Sequence, residues 1–258
     1  MQIGIDLGSR TLKAVVWQNG AIIRHQVTES SFDPHRQALA FLEQHPAARV
    51  VATGYGRHLL QQHAELDVIT EIKAHALGAR HLFPHCRTIL DVGGQDSKVI
   101  LLDERGRVTS FQMNDKCAAG TGRFLEMMAV SLGYDLDEFG RAAAETEVGA
   151  PINSMCAVFA ESEVVSLKNR GVPPATIAHS VHLAVAGRLA AMVAKCGYGD
   201  HLVFSGGVAN NATLVALLEK ELKVPVQVPP IPAIVGALGA ALHGSRSLTQ
   251  NEKEKHTC

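Results

Sequence analysis

Two cysteines in related settings carry the most specific chemistry in the chain. Cys117 stands in Asn114-Asp115-Lys116-Cys117-Ala118-Ala119-Gly120-Thr121-Gly122-Arg123-Phe124. Cys156 follows 39 residues on, in Asn153-Ser154-Met155-Cys156-Ala157-Val158-Phe159. Each precedes a helical pattern. A thiol at a helix N-terminus has a depressed pKa and ligates metal readily, and the helix dipole favours negative charge there. A [4Fe–4S] cluster takes four thiolates. One chain offers two, so a homodimer with an isologous twofold interface would supply all four. The same two residues also read as buried structural thiols, because no CxxC accompanies them and cysteine is among the most buried residue types. Cys86, Cys196 and Cys258 bring the total to five, and an odd number argues against a disulfide framework.

Three glycine-bearing segments suit phosphate and nucleoside. In Gly4–Lys13 an acid, Asp6, ends an apolar strand and Gly8 lets backbone approach an anion closely. Ser9, Arg10, Thr11 and Lys13 add donors for anionic oxygen. Asp91–Lys98 repeats that logic, with Asp91, the pair Gly93-Gly94, then Gln95, Asp96 and Lys98. In Phe204–Asn211 a strand meets a helix through Gly206-Gly207, a geometry that lets backbone lie flat against an adenosine, and Asn211 closes the segment. Each motif alone matches often by chance; three in this order do so far less often.

The elements that position these residues repeat. Gln2–Asp6, Thr11–Trp17 and Ala21–Val27 read as strands, His35–Gln44 as a helix, Arg49–Thr53 as a strand and Thr70–His81 as a helix. The pattern restarts with strands at Thr88–Val92, Ser97–Asp103 and Val108–Met113, so strand, glycine turn and strand recur about 90 residues apart. Gly122–Glu145 is helical with a break at Gly133, Ser162–Asn169 continues a helix, and Ala175–Lys195 is a long apolar helix suited to a core. His201–Ser205 is a strand, Ala212–Leu222 a helix, and Ile231–Leu242 a loop entering a small-residue helix. The polar tail Ser245–Cys258 should fray. These elements predict an α/β fold of two similar lobes with mixed sheets and flanking helices around a nucleotide cleft. The lobes are expected at 1–84 and 85–244, with the C-terminal helix packing back on the first and a flexible tail at 245–258.

The 258 residues suffice for one large domain or two small lobes. A net charge of −1 gives no basic surface for nucleic acid, and the 13 histidines match no zinc spacing. No apolar run approaches the roughly 18–20 residues of a bilayer span, and the start MQIGIDLG lacks the charged region and cleavage site of a signal peptide. A cytoplasmic location with no membrane partner follows as the expectation.

Taken together, DVGGQDSK, NDKCAAGTGRF and FSGGVANN resemble the activator ATPases of 2-hydroxyacyl-CoA dehydratases, the family that includes the ATPase subunits of benzoyl-CoA reductase. Its wider superfamily is that of actin, hexokinase and the heat-shock chaperones. The resemblance runs from Met1 to about Gly244, and Thr70–Ala76 fits a further family block. It implies ATP and ADP as ligands, with Asp6 and Asp91 near a nucleotide-bound Mg²⁺ and Gln95 or Asp96 positioning the attacking water. It implies one [4Fe–4S] cluster bridging a homodimer through Cys117 and Cys156. It also implies an electron taken from ferredoxin or flavodoxin and passed, driven by ATP hydrolysis, to a partner dehydratase or reductase. Two other readings stay open: a small-molecule kinase of the same superfamily, for which the chain has little room, and a nucleotide-sensing module with structural cysteines. Asp135 and Glu138 read either as ribose ligands or as a solvated acidic face. Pro232 and Gly236 read as the back of an adenine pocket or as a plain helix entry, and Trp17 as core.

Overall fold

The computed structural model describes residues 1–46, 48–152, 157–199 and 201–255, with side chains as far as Ser245. Two five-stranded sheets share one plan. The first is built from β1 (Gln2–Leu7), β2 (Thr11–Gln18), β3 (Ala21–Glu29), β4 (Arg49–Thr53) and β5 (Asp67–Val68), in the order β3-β2-β1-β4-β5. The second is built from β6 (Thr88–Val92), β7 (Ser97–Leu102), β8 (Val108–Asn114), β9 (Leu202–Ser205) and β10 (Val226–Gln227), in the order β10-β9-β6-β7-β8. In each sheet the central strand, β1 or β6, runs antiparallel to the next strand and parallel to the fourth. The repeat read at two glycine turns therefore extends across both sheets.

The helices, in chain order, are α1 (Pro34–Leu42), α2 (Arg57–Gln61), α3 (Glu71–Leu82), α4 (Gly122–Leu132), α5 (Leu136–Ala144), α6 (Ala157–Asn169), α7 (Pro174–Cys196), α8 (Ala212–Leu222) and α9 (Val235–Lys255). The chain divides into two compact units. Met1–Cys86, Leu102–Thr109 and Pro229–Cys258 form the first, and Arg87–Leu101 with Ser110–Val228 the second.

In the first unit β1 alternates. Ile3, Ile5 and Leu7 enter a core with Leu12, Ala14, Phe41 and Leu60. The opposite face carries Gly4 and Asp6, as the pleat requires. A Cβ on Gly4 would overlap the carbonyl of Ala237, and one on Gly239 would overlap that of Ala74 in α3. The α9 helix therefore lies almost backbone to backbone on β1 and α3, which is why its sequence is so rich in small residues. Val15, Trp17, Ile234 and Leu238 fill the rest of that layer, so Trp17 is core, as expected. The short α2, directly after the Gly54-Tyr55-Gly56 turn, has no side-chain cap and was not anticipated. Helical backbone continues past Ser245 as far as Lys255; Glu252-Lys253-Glu254-Lys255 are good helix formers.

The second unit packs around α7. Ile177, Val181, Val185, Leu189 and Val193 of that helix join Phe124, Met128, Phe139, Phe204 and Leu218 in one cluster. The reading that no apolar run reaches a bilayer span is corrected here, since the 23 residues of α7 are long and apolar enough. Yet 67% of its apolar window is buried within the protein, as in a core helix. Asp135 and Glu138 are both exposed, in keeping with the reading as a solvated acidic face. They form a reciprocal capping box at the start of α5, with Glu138 N–H donating to Asp135 Oδ1 at 2.7 Å and Asp135 N–H to Glu138 Oε2 at 3.1 Å.

Candidate functional site

The first turn joins β1 to β2. Asp6 is opposite Lys13 in the antiparallel register, and Lys13 Nζ lies 3.1 Å from Asp6 Oδ2. Asp6 is only 6% exposed, so the pair sits in a setting where charge is weakly screened. Gly8 N–H closes the turn on Thr11 O at 3.1 Å, while Ser9 and Arg10 stand exposed at its tip and Thr11 is half-buried. Ser30 holds the turn from β3's end through its hydroxyl on Gly8 O at 3.1 Å and its N–H on Arg10 O at 2.9 Å. The structure thus brings Asp6 and Lys13 together and leaves Ser9 and Arg10 at the surface.

The second turn, in the second unit, repeats that register with Asp91 opposite Lys98. The Lys98 ammonium is buried between two carboxylates, 2.7 Å from Asp96 Oδ2 and 3.6 Å from Asp91 Oδ2. Asp91 also accepts from Ser205 Oγ at 2.9 Å, a partner that sequence reading missed because it arrives from β9. Gly93 N–H closes the turn on Asp96 O at 2.9 Å, and Gln95 is exposed. Of the two candidates for orienting water, Asp96 is thus tied to Lys98 and Gln95 projects freely from the turn.

The third motif meets the second directly. Gly206 has φ +88, and a Cβ there would strike the backbone of Val92, so glycine is required for both conformation and approach. The N-terminus of α4 meets the same turn, with Gly122 N–H donating to Gly93 O at 2.9 Å and Arg123 N–H to Gly94 O at 2.8 Å. Two amides that a helix start leaves without intrahelical partners are satisfied by the carbonyls of the glycine pair. Gly207 is exposed. Arg123 is a half-exposed helix arginine, 3.2 Å from Glu126. Asn211 caps α8, accepting from Leu214 N–H at 3.0 Å, and its Nδ2 lies 2.9 Å from His182 Nε2. His182 Nδ1 lies 2.8 Å from Ala178 O. A neutral ring that donates from Nδ1 and accepts at Nε2 satisfies both contacts. Burial holds its pKa down at about 4, with His179 adding to the effect. His182 was one of many scattered histidines in the sequence; only the packing of α7 on α8 gives it a role.

Cys117 is not at a helix start. α4 begins at Gly122, after Gly120 at φ +84 and the extended N-cap Thr121. The helix field, which fades beyond the first turn, therefore gives no account of Cys117 reactivity, and the expectation built on it is corrected. Instead the loop is held by side chains. Asn114 Nδ2 donates to Cys117 O at 2.9 Å and Ala119 O at 3.3 Å, and Thr121 Oγ1 to Ala118 O at 2.6 Å. Cys117 is a half-exposed free thiol. Cys156 lies outside the described residues. Cys86 is buried, and burial pushes the Cys196 thiol pKa up against the opposing pull of Lys195. Among the described residues no three His, Cys, Asp or Glu side chains gather as a metal-ligand set.

Residues 3–244 match the model of the BadF/BadG/BcrA/BcrD ATPase family. The chain is 44% identical over 251 residues to the activator of lactoyl-CoA dehydratase of Anaerotignum propionicum, covering 93% of this chain and 96% of that one. The solved structure of the activator of the 2-hydroxyisocaproyl-CoA dehydratase from Clostridium difficile with bound ADPNP superposes with a TM-score of 0.90 at 36% identity, covering 98% of this chain and 97% of that one. A ROK family glucokinase from Streptomyces griseus, at 14% identity and a TM-score of 0.60 over 95% of this chain and 99% of that one, shares the fold.

Proposed function

The chain belongs to the BadF/BadG/BcrA/BcrD ATPase family, and from that premise we propose that it hydrolyses ATP to drive a low-potential electron into a partner 2-hydroxyacyl-CoA dehydratase or related reductase in the cytoplasm. The observation that carries the ATPase reading is the doubled acid–lysine pair. Asp6 with Lys13 and Asp91 with Lys98 occupy the same register in two sheets of the same plan. The lysines offer charge to phosphate oxygens. The carboxylates suit Mg²⁺, which takes few protein ligands and keeps several waters. Gln95, or Asp96 once released from Lys98, orients the attacking water, and the Gly206-Gly207 turn with Asn211 receives the adenosine. This is catalysis by positioning and charge.

Cys117 fits a thiolate ligand in its partial exposure and fixed loop. With Cys156 and the same pair from a second copy it makes up the four thiolates of one [4Fe–4S] cluster per homodimer. When bound, that cluster supplies a one-electron carrier filled by ferredoxin or flavodoxin. The chain's own contribution is the link between sites. The α4 amides on Gly93 O and Gly94 O join the second phosphate turn to the segment that bears Cys117, so a change of nucleotide at the turn bears on that segment. Asp6→Asn and Asp91→Asn should each cut the kcat of Mg²⁺-dependent ATP hydrolysis by about 100-fold or more while the protein stays folded. Full hydrolysis in both variants would sink the assignment.

A further inference from the structure

Thr53, at the C-terminal end of β4, is 0% exposed, and its hydroxyl has no hydrogen-bond partner within the protein. The register sets it beside a site acid, because Asp6 of β1 pairs with Lys13 on one side and with Thr53 on the other. Paired residues on neighbouring strands share a face, so lysine, carboxylate and hydroxyl form a row. Two glycines put no side chain against that carboxylate, whose Oδ2 is paired with Lys13 Nζ at 3.1 Å. A Cβ on Gly54, where φ is +92, would lie 2.6 Å from Asp6 Oδ1. One on Gly236 would lie 3.4 Å from Asp6 Oδ2 and 2.9 Å from His75 Nε2. Arg57 Nη1 holds the Gly54 turn through Gly54 O at 3.0 Å. A buried hydroxyl without a partner is costly, and in a polar recess an ordered water is the usual remedy.

We propose that Thr53 is a positioning residue whose hydroxyl, together with the Asp6 carboxylate, holds one water of the hydration shell of nucleotide-bound Mg²⁺. This rests on the ATPase reading above and deepens it, since Thr53 belongs to none of the three glycine motifs. It also explains why a threonine, and not the valine that a buried strand end favours, stands there.

The test compares Thr53→Val, a near-isostere without the hydroxyl, with Thr53→Ser, which keeps it. ADPNP affinity is measured by calorimetry with Mg²⁺ and with EDTA, alongside the thermal midpoint of the nucleotide-free protein and the kcat and KM for ATP. Thr53→Val should leave the nucleotide-free midpoint unchanged or raised, because an unpaired hydroxyl is removed. It should keep the Mg²⁺-free affinity and lose about tenfold of the gain that Mg²⁺ brings; Thr53→Ser should restore that gain. An undiminished Mg²⁺ gain in Thr53→Val would overturn the proposal, as would a fallen midpoint with an unchanged gain, which marks a purely structural hydroxyl. Should Thr53→Val not fold, Thr53→Ala carries the same comparison. If the wild-type protein binds no ADPNP under either condition, the ATPase reading itself falls; wild-type binding with an unaffected variant removes only the role of Thr53.

Discussion

His182 shows what a single side chain contributes at a position no motif marks. Its ring accepts from Asn211 Nδ2 only while neutral, and burial keeps it neutral by lowering its pKa to about 4. In the unfolded chain the same group has a pKa near 6.5. As pH falls below 6.5 the unfolded chain takes up the proton first, so the stabilisation is complete above 6.5 and is lost on the way down to 4. The loss amounts to at most about 3 kcal/mol. Urea unfolding at pH 7 and pH 4.5 should therefore show a smaller acid loss in His182→Gln than in the wild type. The glutamine carbonyl can still accept from Asn211 without titrating. Equal losses in the two proteins would mean that His182 is not the neutral acceptor described. The acids and lysines were legible in the sequence because a motif spells them locally. His182, Ser205 and Thr53 were not, because each arrives beside its partner through strand register or helix packing across 29, 114 and 47 positions.

At the scale of elements, α4 starts at Gly122, where the sequence places it, and what was misjudged is how far Cys117 stands from that start. Gly120-Thr121-Gly122 are weak helix formers, and Gly120 in the left-handed region delays the helix to Gly122. The delay separates Cys117 from the helix but ties the helix to the Gly93-Gly94 turn. Where α5 is capped by its own Asp135 side chain, α4 leaves its first amides to the carbonyls of Gly93 and Gly94. The two helices should therefore respond differently to nucleotide. Hydrogen exchange at the amides of Gly122 and Arg123 should slow several-fold when Mg²⁺ and ADPNP order the turn, while the amide of Glu138 in the α5 cap stays unchanged. Equal protection at both helix starts would point to general tightening and break the proposed link between nucleotide and the Cys117 segment.

Across the whole molecule, the repeated sheet plan was visible from two glycine turns because the acid, the glycines and the lysine recur in the same order. The path of the chain was visible in part, since the C-terminal helix was read as packing back on the first lobe while Leu102–Thr109 was read with the second. Leu102–Thr109 and Pro229 onward belong with the N-terminal residues in one unit, the latter held there by the close approach of α9 to β1 and α3 through glycines and not by any break in composition. The proposed redox role belongs to this scale, because one copy offers Cys117 and Cys156 and a [4Fe–4S] cluster takes four thiolates. Anaerobically purified protein should be a brown dimer with about four irons per two chains. Under the proposed bridging arrangement, Cys117→Ser would remove two of the four ligands at once through the twofold. It should abolish the colour and electron transfer while ADPNP affinity holds, because no described contact of the thiol reaches the glycine turns. Colour retained in that variant would remove Cys117 from the ligand set. A colourless wild-type protein that still hydrolyses ATP would keep the doubled acid–lysine site and end the case for a bridging cluster.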